Sequence, residues 1–309
     1  MKATGQTSPR WSGAIGRPAI AVPAGATDCH HHVYDSRYPA DPLASLPHED
    51  AGIEDYRVLA SWLGVTRHVI VQPSLYGTDN RCLMQALEVA GAAARGVAVI
   101  AGDVSERALA KMQARGVRGI RINARQPGRV GLTCLPEYSR KIAAFGWHVQ
   151  LAVSPDQLLA IAPSCRDLPC PVVFDHMAHL HASGGTRHAA FRQLVGLLQT
   201  AKAWVKLSGH YIGHAAAAPA YDDAVTLGAA LARAAPERVL WGTDWPHPTV
   251  QGEKPDDAAW LDRSAVIAPG DAALHRILVD NPAELYGFSD EPESKQQNHN
   301  EGIDEHGTR

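Results

Sequence analysis

His30 and His32 stand two residues apart in the run Asp28-Cys29-His30-His31-His32. Alternate side chains of a strand share a face, so this spacing aims both imidazoles at one point and turns Cys29 and His31 the other way. Two converging imidazoles suit a zinc-type cation or the chemistry of proton transfer. A second cluster ends the run Val172-Val-Phe-Asp175-His176-Met177-Ala178-His179 and adds a third imidazole at His176, with the direction of Asp175 and His179 left open by strand phase. A third is Val239-Leu-Trp-Gly-Thr-Asp244-Trp-Pro-His247-Pro, where an apolar strand delivers a carboxylate to a Pro-containing loop. Such a carboxylate can bind a metal, take a proton from attacking water, or do both in turn. His30, His32, His176 and Asp244 form the expected catalytic group.

These residues need elements that bring three distant stretches to one rim. Short β-branched runs recur at 26–30, 68–72, 97–102, 118–122, 147–152, 172–175, 204–207 and 239–241. Amphipathic Ala- and Leu-rich segments at 54–63, 80–94, 106–115, 137–145, 156–161, 188–202, 222–234 and 272–278 follow them in turn. Eight strand–helix units with apolar strands predict an α/β fold, a single (β/α)8 TIM barrel whose reacting groups collect at the C-terminal strand ends. An open doubly wound sheet would place a GxGxxG turn after the first strand, where this chain has histidines. The domain reading is an irregular lead-in over 1–24, the barrel over 25–288 and a disordered tail over 289–309. That tail is too poor in large apolar residues to bury a core, and both ends are expected to be loose.

Composition excludes little and points nowhere exotic. A net charge of -3 and 45% hydrophobic residues in 309 describe an ordinary core with no pull toward nucleic acid or an anionic membrane. Five cysteines without CxxC spacing favour neither a disulfide framework nor a cysteine zinc site, and a cytoplasmic location is expected. No export signal and no membrane-length apolar run is read.

Three arginines could meet an anion. Arg121, Arg125 and Arg129 lie on the fourth strand and its loop, spaced so that two could fork onto carboxylate or sulfonate groups of one small molecule. Ser74, Tyr76, His179, His210 and Tyr211 are expected lining residues at other strand ends, and 35–52 is a candidate lid.

Together, HxH after strand one, DHM after strand six and WGTDWPHP after strand eight resemble the amidohydrolase superfamily, in the branch related to 2-pyrone-4,6-dicarboxylate lactonase. Val71-Gln72-Pro73-Ser74 with Gly77-Thr78-Asp79-Asn80, Gly119-Ile-Arg121-Ile-Asn123 and Val205-Lys206-Leu207-Ser208-Gly209 extend the likeness over nearly the whole barrel. The branch includes sulfomuconolactone hydrolases, sugar-lactone lactonases and a galactarolactone isomerase. The resemblance implies hydrolysis of a small acidic lactone, with Asp244 as general base and His30, His32 and His176 polarising the carbonyl, in some members without metal. Strand five, Trp147 to Ala152, has no ligand near its C-terminal end, so a two-metal centre is not expected. One divalent ion, zinc first, on His30, His32, Asp244 and His176 is the metal reading; no metal is the other. His179 and His210-Tyr211 stand where the pyrone-dicarboxylate pattern carries further arginines, which suits a substrate with fewer acidic groups. A lactone isomerase and a metal-dependent decarboxylase are the rival activities.

Overall fold

The computed structural model describes residues 9–14, 16–44, 46–126, 130–200, 202–213 and 221–289. Arg129 and the tail from 290 onward lie outside them. Eight parallel strands run in the order β1-β2-β3-β4-β5-β6-β7-β8: β1 Thr27–His31, β2 Arg67–Val71, β3 Ala94–Ala98, β4 Val117–Asn123, β5 His148–Ala152, β6 Val172–Phe174, β7 Ala203–Leu207 and β8 Val239–Trp241. The sheet closes just beyond β8, where Asp244 N–H donates to His30 O at 2.7 Å and His32 N–H to Trp245 O at 2.8 Å. Closure is thus made by the residues expected to do chemistry. The strands are buried almost throughout, as apolar runs flanked by helices require.

The helices between strands are α1 Ile53–Leu63, α2 Arg81–Ala90, α3 Glu106–Ala114, α4 Leu135–Ala143, α5 Pro155–Arg166, α6 Ala189–Leu198 and α7 Asp222–Ala234, with α8 Asp257–Ile267 after β8. α5 starts on a reciprocal cap between Ser154 and Gln157, and Pro155 fits its first turn, where no N–H is needed. α1 turns Tyr56, Leu59 and Leu63 onto the sheet, each worth about 1.5–3 kcal/mol of burial. Sequence periodicity misses α8 because Asp257 and Ser264 sit on its buried face. A last helical stretch runs through α9 Asp271–His275, a wider turn over Arg276–Asp280 and α10 Asn281–Tyr286. It brings Tyr286 edge-on to His148 at 5.3 Å, under the lumen. No described helix is long and apolar enough to cross a membrane.

Two expectations change. The described lead-in is irregular but tied down: Trp245 Nε1 donates to Arg10 O, Trp62 Nε1 to Gly16 O, and Ala19 and Ile20 N–H to Asp262 Oδ1. It is a strap over α1 and α8 rather than a loose arm. Cys29 does not face outward with His31. Asp28 pairs with His68 and His31 with Ile70, so β1 carries one extra residue between them. Cys29 therefore joins Val69, Val97, Val173 and Leu240, residues of four other strands that only the lumen brings together.

Candidate active site

At the end of β1, His31 turns outward, stacking on Tyr56 at 3.5 Å and bonding His68 at 2.9 Å, while His30 and His32 turn in. Asp28 holds this corner: its carboxylate accepts from His30 N–H, Thr243 N–H, Thr243 Oγ1 and Tyr56 O–H. Beyond β6 the backbone enters the left-handed region at His176, Met177, Ala178 and His179, with φ of 50–55°. Non-glycine residues pay about 1–2 kcal/mol each there, and such runs persist where surrounding contacts over-determine them. The turn delivers His176 to the rim, where its Nδ1 meets Ser208 Oγ at 2.9 Å. Gly209 leaves the room: a Cβ there would lie 2.5 Å from His176 Nδ1. After β8, Asp244 is itself left-handed, φ 66°.

The four groups converge. Asp244 Oδ1 lies 3.4 Å from His30 Nε2, 3.3 Å from His32 Nε2 and 3.9 Å from His176 Nε2, while Oδ2 accepts from Tyr211 O–H at 2.6 Å. Burial works against the Asp244 carboxylate, but His176, His32 and His30 outweigh it and hold its pKa well below the usual range. Burial lowers the pKa of His30 and His176, against the pull of Asp175 on His30 and of Asp244 on His176. His32 donates Nδ1–H to Val71 O at 2.7 Å, which turns its Nε2 toward Asp244 Oδ1. A proton, a water O–H or a cation placed between that nitrogen and Oδ1 would bond both.

One donor set fits a metal. Ligand atoms of His30, His176 and Asp244 lie within 4.8 Å of one another, and His30 Nε2 and Asp244 Oδ1 are buried without a hydrogen-bond partner. A small set of neutral imidazoles and one carboxylate is the make-up of catalytic zinc sites.

Above this centre lies a cavity of about 210 Å³, lined by His32, Tyr34, Ser74, Arg121, Asn123, Arg125, His176, His179 and Asp244 among others. Ser74, Arg121, Arg125 and His179 are thus brought together with the catalytic group. His179 Nδ1 is held by Val153 O at 3.0 Å, and Ser74 accepts from Asn123 Nδ2 at 2.9 Å. Tyr211 reaches the centre through Asp244. Tyr76 does not line the cavity: its hydroxyl clamps the backbone of Asp35 on both N–H and C=O. His210 turns away too, stacked on Trp260 of α8 at 4.1 Å. Arg129 lies outside the described residues.

Sequence reasoning passed over what lies beneath. Asp175 Oδ2 accepts from Arg121 Nε and Gln150 Nε2, both at 3.1 Å, and Lys206 Nζ donates to Gln150 Oε1 at 2.6 Å. Burial opposes ionisation of Asp175, yet His30, Arg121 and Lys206 hold its pKa well below normal. Gln150 and Lys206 could have been found: each stands between apolar neighbours in a wholly buried strand, where a lysine is never incidental.

The amidohydrolase family model matches residues 27–288, the whole barrel. The chain belongs to the amidohydrolase family. The 2-pyrone-4,6-dicarboxylate hydrolase of Comamonas testosteroni is 33% identical to this amidohydrolase over 288 residues, 89% of this chain and 94% of that one. The D-galactarolactone isomerase of Agrobacterium fabrum is 33% identical over 276 residues, 88% and 94% of the two chains. A crystal structure of an Agrobacterium tumefaciens protein in its apo state superposes with a TM-score of 0.84 at 32% identity, covering 90% of this chain and 99% of that one. The fold is accordingly an amidohydrolase TIM barrel, and the protein is an enzyme of hydrolase type.

Proposed function

We propose that this amidohydrolase opens a small acidic lactone, carboxylated or sulfonated, by water attack on the ring carbonyl with Asp244 as general base. The observation that carries the reading is the division of labour within one carboxylate. Oδ2 is tied to Tyr211, so Oδ1, facing three imidazoles, is the oxygen left for proton transfer. Water adds to the carbonyl carbon and gives its proton to Asp244. As negative charge gathers on the carbonyl oxygen, the imidazole field that depressed Asp244 is spent on that oxyanion, and the carboxylate gains basicity when it needs it. The tetrahedral adduct then collapses, the ring C–O bond breaks, and Asp244 returns the proton to the leaving oxygen, giving a hydroxy acid.

The cavity supports a small anionic substrate. At about 210 Å³ it is below the 300–1,000 Å³ usual for drug-sized ligands. Arg121 is anchored through Nε alone, which leaves its terminal nitrogens for an anion, and Arg125 stands at the rim. Two similar enzymes named for a pyrone dicarboxylate and a sugar-acid lactone agree with this class. His30, His176 and Asp244, joined by His32, would hold a divalent ion, zinc by the character of the set. Bound there it would supply Lewis-acid polarisation of the carbonyl. The five cysteines are unpaired, which supports a reducing, cytoplasmic setting.

Likeness to the D-galactarolactone isomerase favours a second reading, in which a substrate hydroxyl replaces water and no free acid is released. Titration at constant pH over a panel of acidic and sugar lactones separates the two. One equivalent of base consumed per turnover is expected; ring conversion without base uptake would replace hydrolysis by isomerisation. Asp244→Asn should abolish turnover, and a folded variant with near-normal rate would remove Asp244 as the base.

A further inference from the structure

Tyr34, just past the HxH motif, is held everywhere except at its tip. Its backbone N–H and C=O are both bonded to Ala51, each at 2.9 Å. His48 stacks on its ring at 4.4 Å and 22°, and Trp11 of the strap meets His48 edge-on at 5.1 Å. Tyr76 tilts against Tyr34 at 6.3 Å, and the residue is only 3% exposed.

The hydroxyl is the exception. Among the described residues nothing bonds it, yet it is not sealed inside the protein as His30 Nε2 and Trp241 Nε1 are. The surface it keeps opens on the cavity that Tyr34 lines together with Asp244 and Arg121. Burial pushes its pKa above the ordinary value, Asp244 adds to the rise and Arg121 opposes it, so both charges lie within reach of the oxygen. A buried tyrosine hydroxyl usually finds a partner, and leaving one without is costly. A ring already fixed by stacking and backbone pairing loses little freedom when a ligand takes its tip.

The surroundings select what that ligand presents. Arg121 is anchored through Nε and lines the same space. An anion drawn there by the guanidinium can only accept, and a phenol keeps its proton at neutral pH, so the phenol donates. In a cavity of about 210 Å³, a substrate held by Arg121 and attacked beside Asp244 also meets Tyr34. We propose that Tyr34 is a specificity-determining residue whose hydroxyl donates to the carboxylate or sulfonate of the lactone beside Arg121. The anion rests on the functional reading above; the unbonded hydroxyl does not. Arg121 attracts any anion, whereas the phenol adds direction and is left unpaired by a ring that carries no acceptor, so the site selects on both counts.

The test is Tyr34→Phe, which removes the oxygen and keeps the stack on His48. Because the protein does not bond that oxygen, the thermal midpoint of the ligand-free variant should equal or exceed that of the wild type. A lower midpoint, or a variant that does not fold, would show the hydroxyl bonded within the protein and overturn the proposal. Binding is read by calorimetry with 2-hydroxyglutarate, the ring-opened form of 5-oxotetrahydrofuran-2-carboxylate. Turnover is read on that lactone beside γ-valerolactone, which has a methyl group in place of the carboxylate. The variant should bind 2-hydroxyglutarate about ten- to a hundredfold more weakly, the worth of a hydrogen bond to a charged group. On the carboxylated lactone KM should rise by a similar factor with kcat little changed, while γ-valerolactone is handled no worse than by the wild type. Unchanged binding of 2-hydroxyglutarate, a wild type that does not bind it, or equal losses on the two lactones would each overturn the proposal. If neither lactone turns over, the functional reading fails, and the calorimetry and the melts alone decide the partner of the hydroxyl.

Discussion

Replacing Tyr211 by Phe removes one hydroxyl and little else, and its effect can be worked through. The hydroxyl donates to Asp244 Oδ2 at 2.6 Å, and Tyr211 is only 5% exposed, so no bulk water takes its place. A hydrogen bond to a buried charge is worth about 1.5–3 kcal/mol, and 1.36 kcal/mol is one pKa unit. The Asp244 pKa should therefore rise by about 1–2 units. It begins well below the usual carboxylate range, so the base is ionised at neutral pH in either protein. The sign follows: activity needs the carboxylate, is lost as pH falls through its pKa, and in the variant is lost at a higher pH. Freed from its tether, Oδ2 also competes with Oδ1, so the plateau of kcat should drop as well, by about tenfold or more for the same 1.5–3 kcal/mol. The assay is kcat and kcat/KM on a lactone the wild type accepts, across the neutral plateau and down to the lowest pH at which circular dichroism shows both proteins folded. A folded Tyr211→Phe with the wild-type plateau would refute the assignment of Oδ1 as the working oxygen.

Gly209→Ala should cost more in catalysis than in folding. Its Cβ would enter 2.5 Å from His176 Nδ1 at a φ of 57°, so the ring must move; kcat/KM should fall at least tenfold for a stability loss of about 1–2 kcal/mol, read by denaturant melts beside kinetics. His148, fully buried, has its pKa pushed down by burial to about 3 from 6.5. The unfolded chain binds that proton first, so stability falls as pH drops below about 6.5 and continues to fall toward about 3. Urea melts of His148→Gln should lose roughly 2–3 kcal/mol less than wild type between pH 7 and 4.5; identical slopes would show that His148 is not the titrating group.

Much of the barrel is legible because strand and helix alternate with few interruptions. Where the reading slips, a local cause can be named. β3 begins at Ala94 rather than Val97, because Ala94-Arg95-Gly96 has the composition of a turn while Arg95 spends its guanidinium on the carbonyls of Tyr286 and Gly287 below the barrel. α8 hides because its buried face carries Asp257, which meets His247 Nε2 at 3.2 Å. Tyr76 and His210 look like lining residues by position, yet loop backbone beyond a strand is free of strand phase. One became a clamp on Asp35 and the other a platform on Trp260.

The HxH motif shows how a correct reading can rest on an incomplete premise. Strict alternation from Asp28 onward would put His30 with Asp28, facing α1, and Cys29 with the lumen. The extra residue in β1 resets the phase, so that Cys29 and His30 both face inward while alternation from His30 to His32 is intact. The two-residue spacing worked because the irregularity falls before the motif and not within it. That same extra residue lowers His30 by one position into the barrel, within reach of Lys206 and Asp175, and leaves His32 at the rim against Val71. No periodicity encodes that step, since one side of it is apolar Cys29 and the other is a histidine that either phase would accept. The buried lysine two strands away is its trace in the sequence: a charge in an apolar strand predicts that some polar group has been brought down to meet it.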